Sequence, residues 1–318
     1  MESTLKALKE SKAILVCSHV GPDGDAMASM LAMGWGMEQL RKQVFYYNHD
    51  GVPEGLKFLP GSEKVISEFT PDMTFDVAIS MDCGSFGRLG EKFAKFKGYK
   101  QLINIDHHAS NDRYGHINYV LPEAASTGEV VWKVLKALNC RLTPEIATNI
   151  YCTLVTDTGS FRYSNTSAHT LRLAAEMVDA GAIPDFVSQN LFECKPVQMF
   201  PLLGRMLERL TISHNGRYSW AVIFLKDLQE TKTTYDLTEE FIDFPRAVKG
   251  VEVALLFKEL ENKRFKISLR AKSARVDVSK ICQWFGGGGH KRAAACIIPG
   301  SLDVVQKEIF SKLEIAFS

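Results

Sequence analysis

The chain of 318 residues carries 38 lysines and arginines against 37 aspartates and glutamates, which gives a formal net charge of +1 at pH 7. This balance excludes a globally basic nucleic-acid coat protein. Hydrophobic residues make up 46% of the chain, enough to form packed cores, so intrinsic disorder is excluded as well. The length predicts about two domains.

The sequence also argues against a membrane-spanning segment and against a metal site made of cysteines. No apolar run reaches the roughly 18 residues of a membrane span, and the N-terminal MESTLKALKESK predicts a short polar helix rather than a signal peptide. The seven cysteines are scattered without a CxxC pair, as is typical of reduced thiols. We therefore expect a cytoplasmic protein without membrane contact and without a cysteine zinc site.

The first third of the chain alternates between strand and helix patterns. Apolar runs at 13–17, 43–47, 75–81 and 102–105 predict strands, and the spacing of apolar residues over 25–40 predicts a helix. Strands separated by helices are typical of βαβ units. We therefore predict an α/β fold with a parallel sheet.

From position 126 the pattern is helical. Ser126-Thr127 with Glu129 predicts one helix start, Thr143-Pro144-Glu145 predicts a second, and 167–180 predicts a third helix. These helices complete the first predicted domain, residues 1–184.

The remaining chain predicts a linker and a second domain. Residues 184–204 contain three prolines and no clear strand, so we assign 185–204 to a linker helix or hinge. Strand patterns then recur, with a hairpin signal at Asn215-Gly216, and they predict a smaller mixed α+β domain over 205–318. The predicted strands are 210–214, 220–224, 251–258, 264–269 and 293–298.

Ionisable residues follow three of the predicted strands. They are His19, Asp23 and Asp25 after 13–17, Asp82 after 75–81, and Asp106, His107 and His108 after 102–105. Each group alone is typical of a turn, a helix cap or solvated histidines. In an open parallel sheet, however, ligands bind beyond the carboxyl ends of the strands, so the three groups together favour one shared site.

Asp157 extends this predicted site. It follows a helical pattern, where a carboxylate opposes the helix dipole unless a cation is near; an exposed loop aspartate is the alternative. With Asp23, Asp25 and Asp82 it gives four carboxylates, which stay ionised only with a counter-charge. Two divalent cations would balance them, and mixed oxygen and nitrogen ligands favour Mn²⁺, with Mg²⁺ or Co²⁺ as alternatives.

The second domain carries an anion-binding pattern. Gly286–Gly289 precedes His290 and Arg292, so exposed backbone N–H groups would lie beside basic side chains; a flexible turn is the alternative. Strand alternation puts Ser268 and Arg270 on one face. Arg162, near Asp157, either reaches the site or forms a structural salt bridge.

The ordered set of motifs resembles the DHH phosphoesterases. The matching motifs are His19-x3-Asp23-x-Asp25, Asp82, Asp106-His107-His108 and Thr156-Asp157-Thr158-Gly159. Ser268-Leu269-Arg270 with Gly286–His290 resembles the DHH-associated C-terminal domain, so the resemblance covers nearly the whole chain. Its length and domain pair are most similar to the bacterial nanoRNase (oligoribonuclease) and pAp phosphatase branch.

The resemblance implies roles for individual residues. One ion would be held by His19, Asp23 and Asp82, and a second by Asp25, Asp82, His107 and Asp157. Asp82 and His108 would be catalytic, with Asp106 orienting its neighbours. The implied substrate contacts are Ser268, Arg270, Gly287, Gly288, Gly289, His290 and Arg292. Cys83 departs from the small hydroxyl residue common in relatives, which affects a secondary hydrogen bond.

The resemblance further implies an enzyme that hydrolyses RNA of about two to four nucleotides to mononucleotides, and the 3′-phosphate of pAp, in a cleft between the domains. A phosphodiesterase acting on linear or cyclic dinucleotides (pApA or cyclic di-AMP) is the near alternative. A manganese pyrophosphatase and an inactive nucleotide-binding regulator are more remote. Long nucleic acid is not expected as substrate, and the resemblance suggests a homodimer.

Overall fold

The computed structural model describes residues 1–272 and 275–317. The chain forms two compact units, Met1–Cys194 and Lys195–Ser318. The division between them falls inside the segment 185–204 that the sequence assigns to a linker. In the described part of the chain, no helix combines the length and the apolar character that a membrane crossing needs.

The first unit is built on a six-stranded sheet in which every neighbouring pair is parallel. The strands are β1 (Ala13–Ser18), β2 (Gln43–Tyr47), β3 (Val65–Ile66), β4 (Phe75–Met81), β5 (Tyr99–Asp106) and β6 (Ile117–Val120). Their order is β3-β2-β1-β4-β5-β6. The chain thus proceeds outward in opposite directions from β1 and from β4, so the switch point where ligands bind in such sheets lies between these two strands.

Three helices of this unit begin where the sequence predicts. Ser126, Thr143 and Ser167 are N-caps, and Pro144 occupies the first helical position it favours. The helices are α1 (Glu2–Glu10), α2 (Gly24–Gln39), α3 (Glu91–Lys95), α4 (Thr127–Ala137), α5 (Pro144–Asp157), α6 (Ala168–Asp179) and α7 (Pro184–Phe192).

Helix α2 is the centre of the first core. All its residues from Gly24 to Gly34 are buried, as expected of a helix that is apolar on all sides. It packs with α4 and α5 against one face of the sheet. Aromatic side chains pack on the other face, among them Phe69, Phe75, Phe93, Phe96 and Tyr99.

The second unit contains a mixed six-stranded sheet, ordered β11-β12-β10-β9-β8-β7. The strands are β7 (Thr211–Ile212), β8 (Tyr218–Ile223), β9 (Val253–Leu260), β10 (Arg264–Ala271), β11 (Gly288–His290) and β12 (Ala293–Pro299). The five predicted strands are confirmed with ends shifted by at most two residues. The sequence analysis did not predict β11.

Helices cover this second sheet unevenly. One face packs on α11 and α12. On the other face α8 packs on β8, α9 packs on β9, and the 3₁₀ helix Tyr235–Ile242 contacts β9 and β10. The helices are α8 (Met199–Glu208), α9 (Leu225–Thr231), α10 (Asp243–Ala247), α11 (Val278–Gln283) and α12 (Leu302–Phe317).

Candidate active site

The loops after β1, β4 and β5 bring the predicted residues of the first unit together at the carboxyl edge of its sheet. Asp23 caps α2 by accepting a hydrogen bond from the Ala26 N–H at 3.0 Å, and Asp25 lies in the first turn of that helix. Asp82 follows β4 in a left-handed conformation, with φ of 53°. A buried residue in that conformation is a strained feature of the kind that collects at functional sites.

The donor atoms fall into three overlapping groups. Within each group the carboxylate oxygens and ring nitrogens lie within 4.8 Å of one another. The groups are Asp82, His107 and His108; His19, Asp23 and Asp82; and Asp25, His107 and Asp157. The structure therefore brings together all six residues that the sequence proposes as metal ligands, with Asp82 belonging to two groups.

Backbone hydrogen bonds orient the two imidazoles that face these carboxylates. The Nδ1 of His19 lies 2.8 Å from the Val20 carbonyl oxygen, and that of His107 lies 3.1 Å from the Ala124 carbonyl oxygen. Because a carbonyl only accepts, Nδ1 carries the proton in both rings, and in the neutral ring Nε2 keeps its lone pair. That nitrogen points at the carboxylates, the arrangement found for metal-binding histidines.

The distances between these atoms are too long for hydrogen bonds and suit a shared cation. His19 Nε2 lies 3.8 Å from Asp82 Oδ2, and His107 Nε2 lies 3.7 Å from Asp25 Oδ2 and 3.4 Å from Asp157 Oδ2. Two ligands that each lie about 2.0–2.2 Å from one ion stand roughly 3–4 Å apart. The donor set of this structure therefore fits divalent metal ions.

The raised pKa values of the carboxylates also indicate a site for cations. Burial raises the pKa of Asp25 well above its usual value, and the nearby charge of Asp157 raises it further. Burial, followed by the charges of Asp25 and Asp23, does the same for Asp82. Asp157, with 31% of its side chain exposed, has its pKa raised to about 6, chiefly by burial. The carboxylate cluster thus lacks the nearby positive charge that would favour its ionised form.

The start of α4 supplies contacts that the sequence analysis missed. The backbone N–H groups of Thr127 and Gly128 donate to the two carboxylate oxygens of Asp25, at 2.7 and 3.2 Å. The Thr127 hydroxyl donates to Asp82 Oδ1 at 2.8 Å. The pattern around Ser126 predicts a helix start. It does not indicate that this helix start forms hydrogen bonds with the carboxylates of Asp25 and Asp82.

Asp106 lies beneath the two histidines that follow it. Its Oδ1 accepts from the backbone N–H groups of His107 and His108 and, at 2.7 Å, from Nδ1 of His108. Its Oδ2 accepts from the Asn111 amide. Although burial opposes ionisation, these hydrogen bonds hold the pKa of Asp106 at about 2. Asp106 is therefore an ionised carboxylate that fixes the ring of His108.

Two residues beside the site make local contacts. The Cys83 thiol donates to the Ser85 carbonyl oxygen at 3.2 Å. The Nε of Arg162 donates to the Gly159 carbonyl oxygen at 2.6 Å, and Arg162 is exposed. Arg162 therefore bonds to backbone here.

In the second unit, strand register brings the predicted substrate contacts close to one another. Arg270 lies opposite Ala293, and Ala293 lies opposite His290 on the edge strand β11. Ser268 lies opposite Ala295, which lies opposite Gly288. Arg292 follows β11 and is exposed.

The glycine-rich segment differs from the expected loop. The N–H groups of Gly286 and Gly287 donate to the carbonyl oxygens of Gln283 and Cys282, so they are used within the turn after α11. Gly288 and Gly289 pair with β12 as an edge strand. The expectation that all four glycines expose their N–H groups is therefore wrong, because half of them close a turn.

Packing explains why Gly287 is a glycine. A Cβ there would lie 2.3 Å from the Ala295 carbonyl oxygen, whereas a Cβ at Gly288 would meet nothing within 4 Å. Gly287→Ala is therefore expected to lower the free energy of unfolding by about 1–3 kcal/mol, with Gly288→Ala as the matched control that changes it little. Urea denaturation measures both variants, and equal stabilities would contradict the packing argument.

Comparison with known proteins agrees with the fold of both units. Residues 13–155 match the model of the DHH family, N-terminal domain, and residues 218–314 match the DHHA1 domain. The chain is 30% identical, over 92% of its length and 86% of the relative, to the bifunctional oligoribonuclease and PAP phosphatase NrnA of Thermus thermophilus. It is 26% identical, over 90% of its length and 89% of the relative, to the protein of that name in Bacillus subtilis.

A solved structure shows the same fold. An exopolyphosphatase-related protein from Bacteroides fragilis matches with a TM-score of 0.89 at 22% identity, covering 100% of this chain and 97% of that one. The family match and the two bacterial relatives support a hydrolase of phosphoester bonds. The chain belongs to the DHH family, with a DHHA1 domain in its C-terminal unit.

Proposed function

We propose that this enzyme hydrolyses RNA of about two to four nucleotides to mononucleotides and removes the 3′-phosphate of pAp. The observation that carries the proposal is the convergence of six donor residues after strands β1, β4 and β5 and helix α5. The names of the two bacterial relatives, oligoribonuclease and PAP phosphatase, supply the substrate class.

The site would hold two divalent ions, with Mn²⁺ favoured and Mg²⁺ or Co²⁺ as alternatives. His19, Asp23 and Asp82 would hold one ion. Asp25, Asp82, His107 and Asp157 would hold the other, so that Asp82 would serve both ions. Bound divalent ions supply an activated water and stabilise the charge that builds on a phosphoryl group.

His108 would act as the acid for the leaving group. Asp106 fixes its ring by accepting a hydrogen bond from Nδ1 at 2.7 Å. A protonated imidazole held in this way can donate to a ribose oxygen as its bond to phosphorus breaks. Asp106 is then a positioning residue and His108 the catalytic one.

The second unit would bind the rest of the nucleotide. Arg270 and His290 flank Ala293 across three adjacent strands, and Ser268 lies on the same face of β10 as Arg270. Basic side chains on both sides of a small residue suit a phosphate that approaches the sheet closely. We propose Ser268, Arg270, Gly287, Gly288, Gly289, His290 and Arg292 as the substrate contacts, with Gly287 acting through the shape of the turn.

Metal binding is expected to depend on pH through the raised carboxylate pKa values. In metal-free protein, the stability contributed by protonated Asp25, Asp82 and Asp157 is present below about pH 4. This stability is lost as the pH rises through the pKa values that these carboxyl groups have in the folded protein. For Asp157 that pKa is about 6. The increase in Tm caused by Mn²⁺ should therefore grow between pH 5 and pH 8.

Differential scanning calorimetry with Mn²⁺ and with a chelator, at half-unit steps of pH, measures this difference. A metal-induced increase in Tm that stays constant across the range would contradict the assignment of these carboxylates as ligands.

The proposed function is tested with a substrate panel in Mn²⁺: pApA, a 5-mer and a 24-mer RNA, pAp, cyclic di-AMP and pyrophosphate. Loss of pApA and pAp with the 24-mer spared is the expected result. Cleavage of cyclic di-AMP faster than pApA would make the chain a cyclic dinucleotide phosphodiesterase instead. If pyrophosphate alone disappeared, the proposed role of the second unit would be wrong. No turnover with any metal or substrate would favour a nucleotide-binding regulator.

Two further proposals concern the cellular compartment and the oligomeric state. All seven cysteines are free thiols, and six of them are buried, which supports a reducing compartment such as the cytoplasm. A homodimer stays a prediction, which light scattering of the purified protein would test.

A further inference from the structure

Two lysines lie directly opposite each other on the sheet of the second unit. Lys258 on β9 pairs with Lys266 on β10 in the antiparallel register. Like charges in this position repel each other and destabilise a sheet. Such a pair is expected only where an anion or an acidic side chain compensates it.

Lys258 makes the repulsion more costly because it is buried. Its residue surface is 2% exposed, and burial is the main cause that lowers the pKa of its ammonium group. The Glu239 carboxylate lies 3.2 Å from Lys258 Nζ, but the Glu239 side chain is 68% exposed. Among the described residues, Lys266 has no acidic group within 4.0 Å. Glu239 therefore compensates Lys258 and leaves the facing charge of Lys266 without a carboxylate within 4.0 Å among the described residues.

Lys266 lies on the sheet face where the 3₁₀ helix Tyr235–Ile242 contacts β9 and β10. Lys266, Ser268 and Arg270 alternate with buried residues along β10 and are each partly exposed. On the next strand, Ile297 lies opposite Lys266 and is 47% exposed. Because these side chains are partly exposed, a ligand can contact this face at Arg270 and at Lys266.

Lys266 and Arg270 are far enough apart on that face to contact different phosphates. Lys266 and Arg270 are four residues apart on one strand, which is about 13 Å. A nucleotide held at Arg270 thus leaves Lys266 for a phosphate farther along the same chain.

We propose that Lys266, with the buried charge of Lys258 opposite it, forms a second anion site, which binds a phosphate of trimers and tetramers that dinucleotides do not place there. This inference rests on the proposed function. Lysines suit the task because their flexible ammonium groups attract phosphate as point charges without demanding one geometry.

The test compares kcat/KM for pAp, pApA, a 3-mer and a 4-mer in wild type, Lys266→Gln and Lys266→Arg. For Lys266→Gln, the ratio of kcat/KM on the 4-mer to that on pApA should fall about fivefold to tenfold, the usual size of one charged contact. Lys266→Arg should restore most of the ratio. Lys307→Gln removes an exposed lysine of α12 and serves as the matched control with an unchanged ratio.

The outcomes separate the two proposals. If wild type hydrolyses neither pApA nor pAp, the proposed function fails. If wild type hydrolyses them and Lys266→Gln keeps the wild-type ratio, the second anion site is wrong. A fall in the ratio that Lys266→Arg does not restore would also overturn it, because charge would not be the cause.

Discussion

Replacing Asp82 with asparagine is expected to lower kcat/KM for both pApA and pAp at least about 10³-fold. The residue belongs to two of the three donor groups, and its carboxylate is buried at the end of β4. A neutral amide provides one weaker oxygen and no charge, so both ions would be held poorly. Losing about 4 kcal/mol of the stabilisation that metals give the transition state accounts for a factor of this size.

The control for this variant is Asp72→Asn, which changes an exposed carboxylate in the turn before β4. Circular dichroism should show both variants folded, and Mn²⁺ titration should show weakened binding for Asp82→Asn alone. Activity within tenfold of wild type, at saturating Mn²⁺, would contradict the central role of Asp82.

His108→Gln is expected to lower kcat on pApA about 10²- to 10⁴-fold, the usual contribution of a general acid. The Nδ1–H of His108 is held by Asp106, so the ring is set up to protonate a leaving oxygen. A p-nitrophenyl ester of a nucleotide needs no such proton, because its leaving group is already a weak base. Its hydrolysis should therefore fall much less than that of pApA.

Steady-state kinetics on the two substrates measure this contrast, with Mn²⁺ affinity followed in parallel. If His108→Gln slows both substrates equally and also weakens Mn²⁺ binding, His108 is a metal ligand and not the acid. The short distance of 3.4 Å between His108 Nδ1 and Asp82 Oδ1 makes this comparison necessary.

Much of the first unit follows from local patterns in the sequence. Apolar runs give its central strands, and Ser126, Thr143 and Ser167 give the helix starts, because each depends on residues only a few positions apart. The site residues could be grouped because parallel strands end at one edge. Thr127 could not be assigned to Asp82, because their contact joins residues 45 positions apart and depends on how α4 packs.

The second unit shows where sequence reasoning stops. Four consecutive glycines indicate an accessible backbone, but which N–H groups close a turn depends on the carbonyl groups of α11. In the same way, Lys258 and Lys266 resemble ordinary surface lysines until the register of β9 and β10 places them opposite each other. Register between strands is a tertiary property that hydrophobic alternation alone fixes only to within a face.

Anomalous diffraction from crystals grown with Mn²⁺ tests the two-ion site most directly. Two peaks are expected in the first unit, one at His19, Asp23 and Asp82 and the other at Asp25, Asp82, His107 and Asp157. Crystals of Asp82→Asn should lose at least one of them. An active enzyme whose crystals show manganese at other residues, or at none of these, would contradict the account.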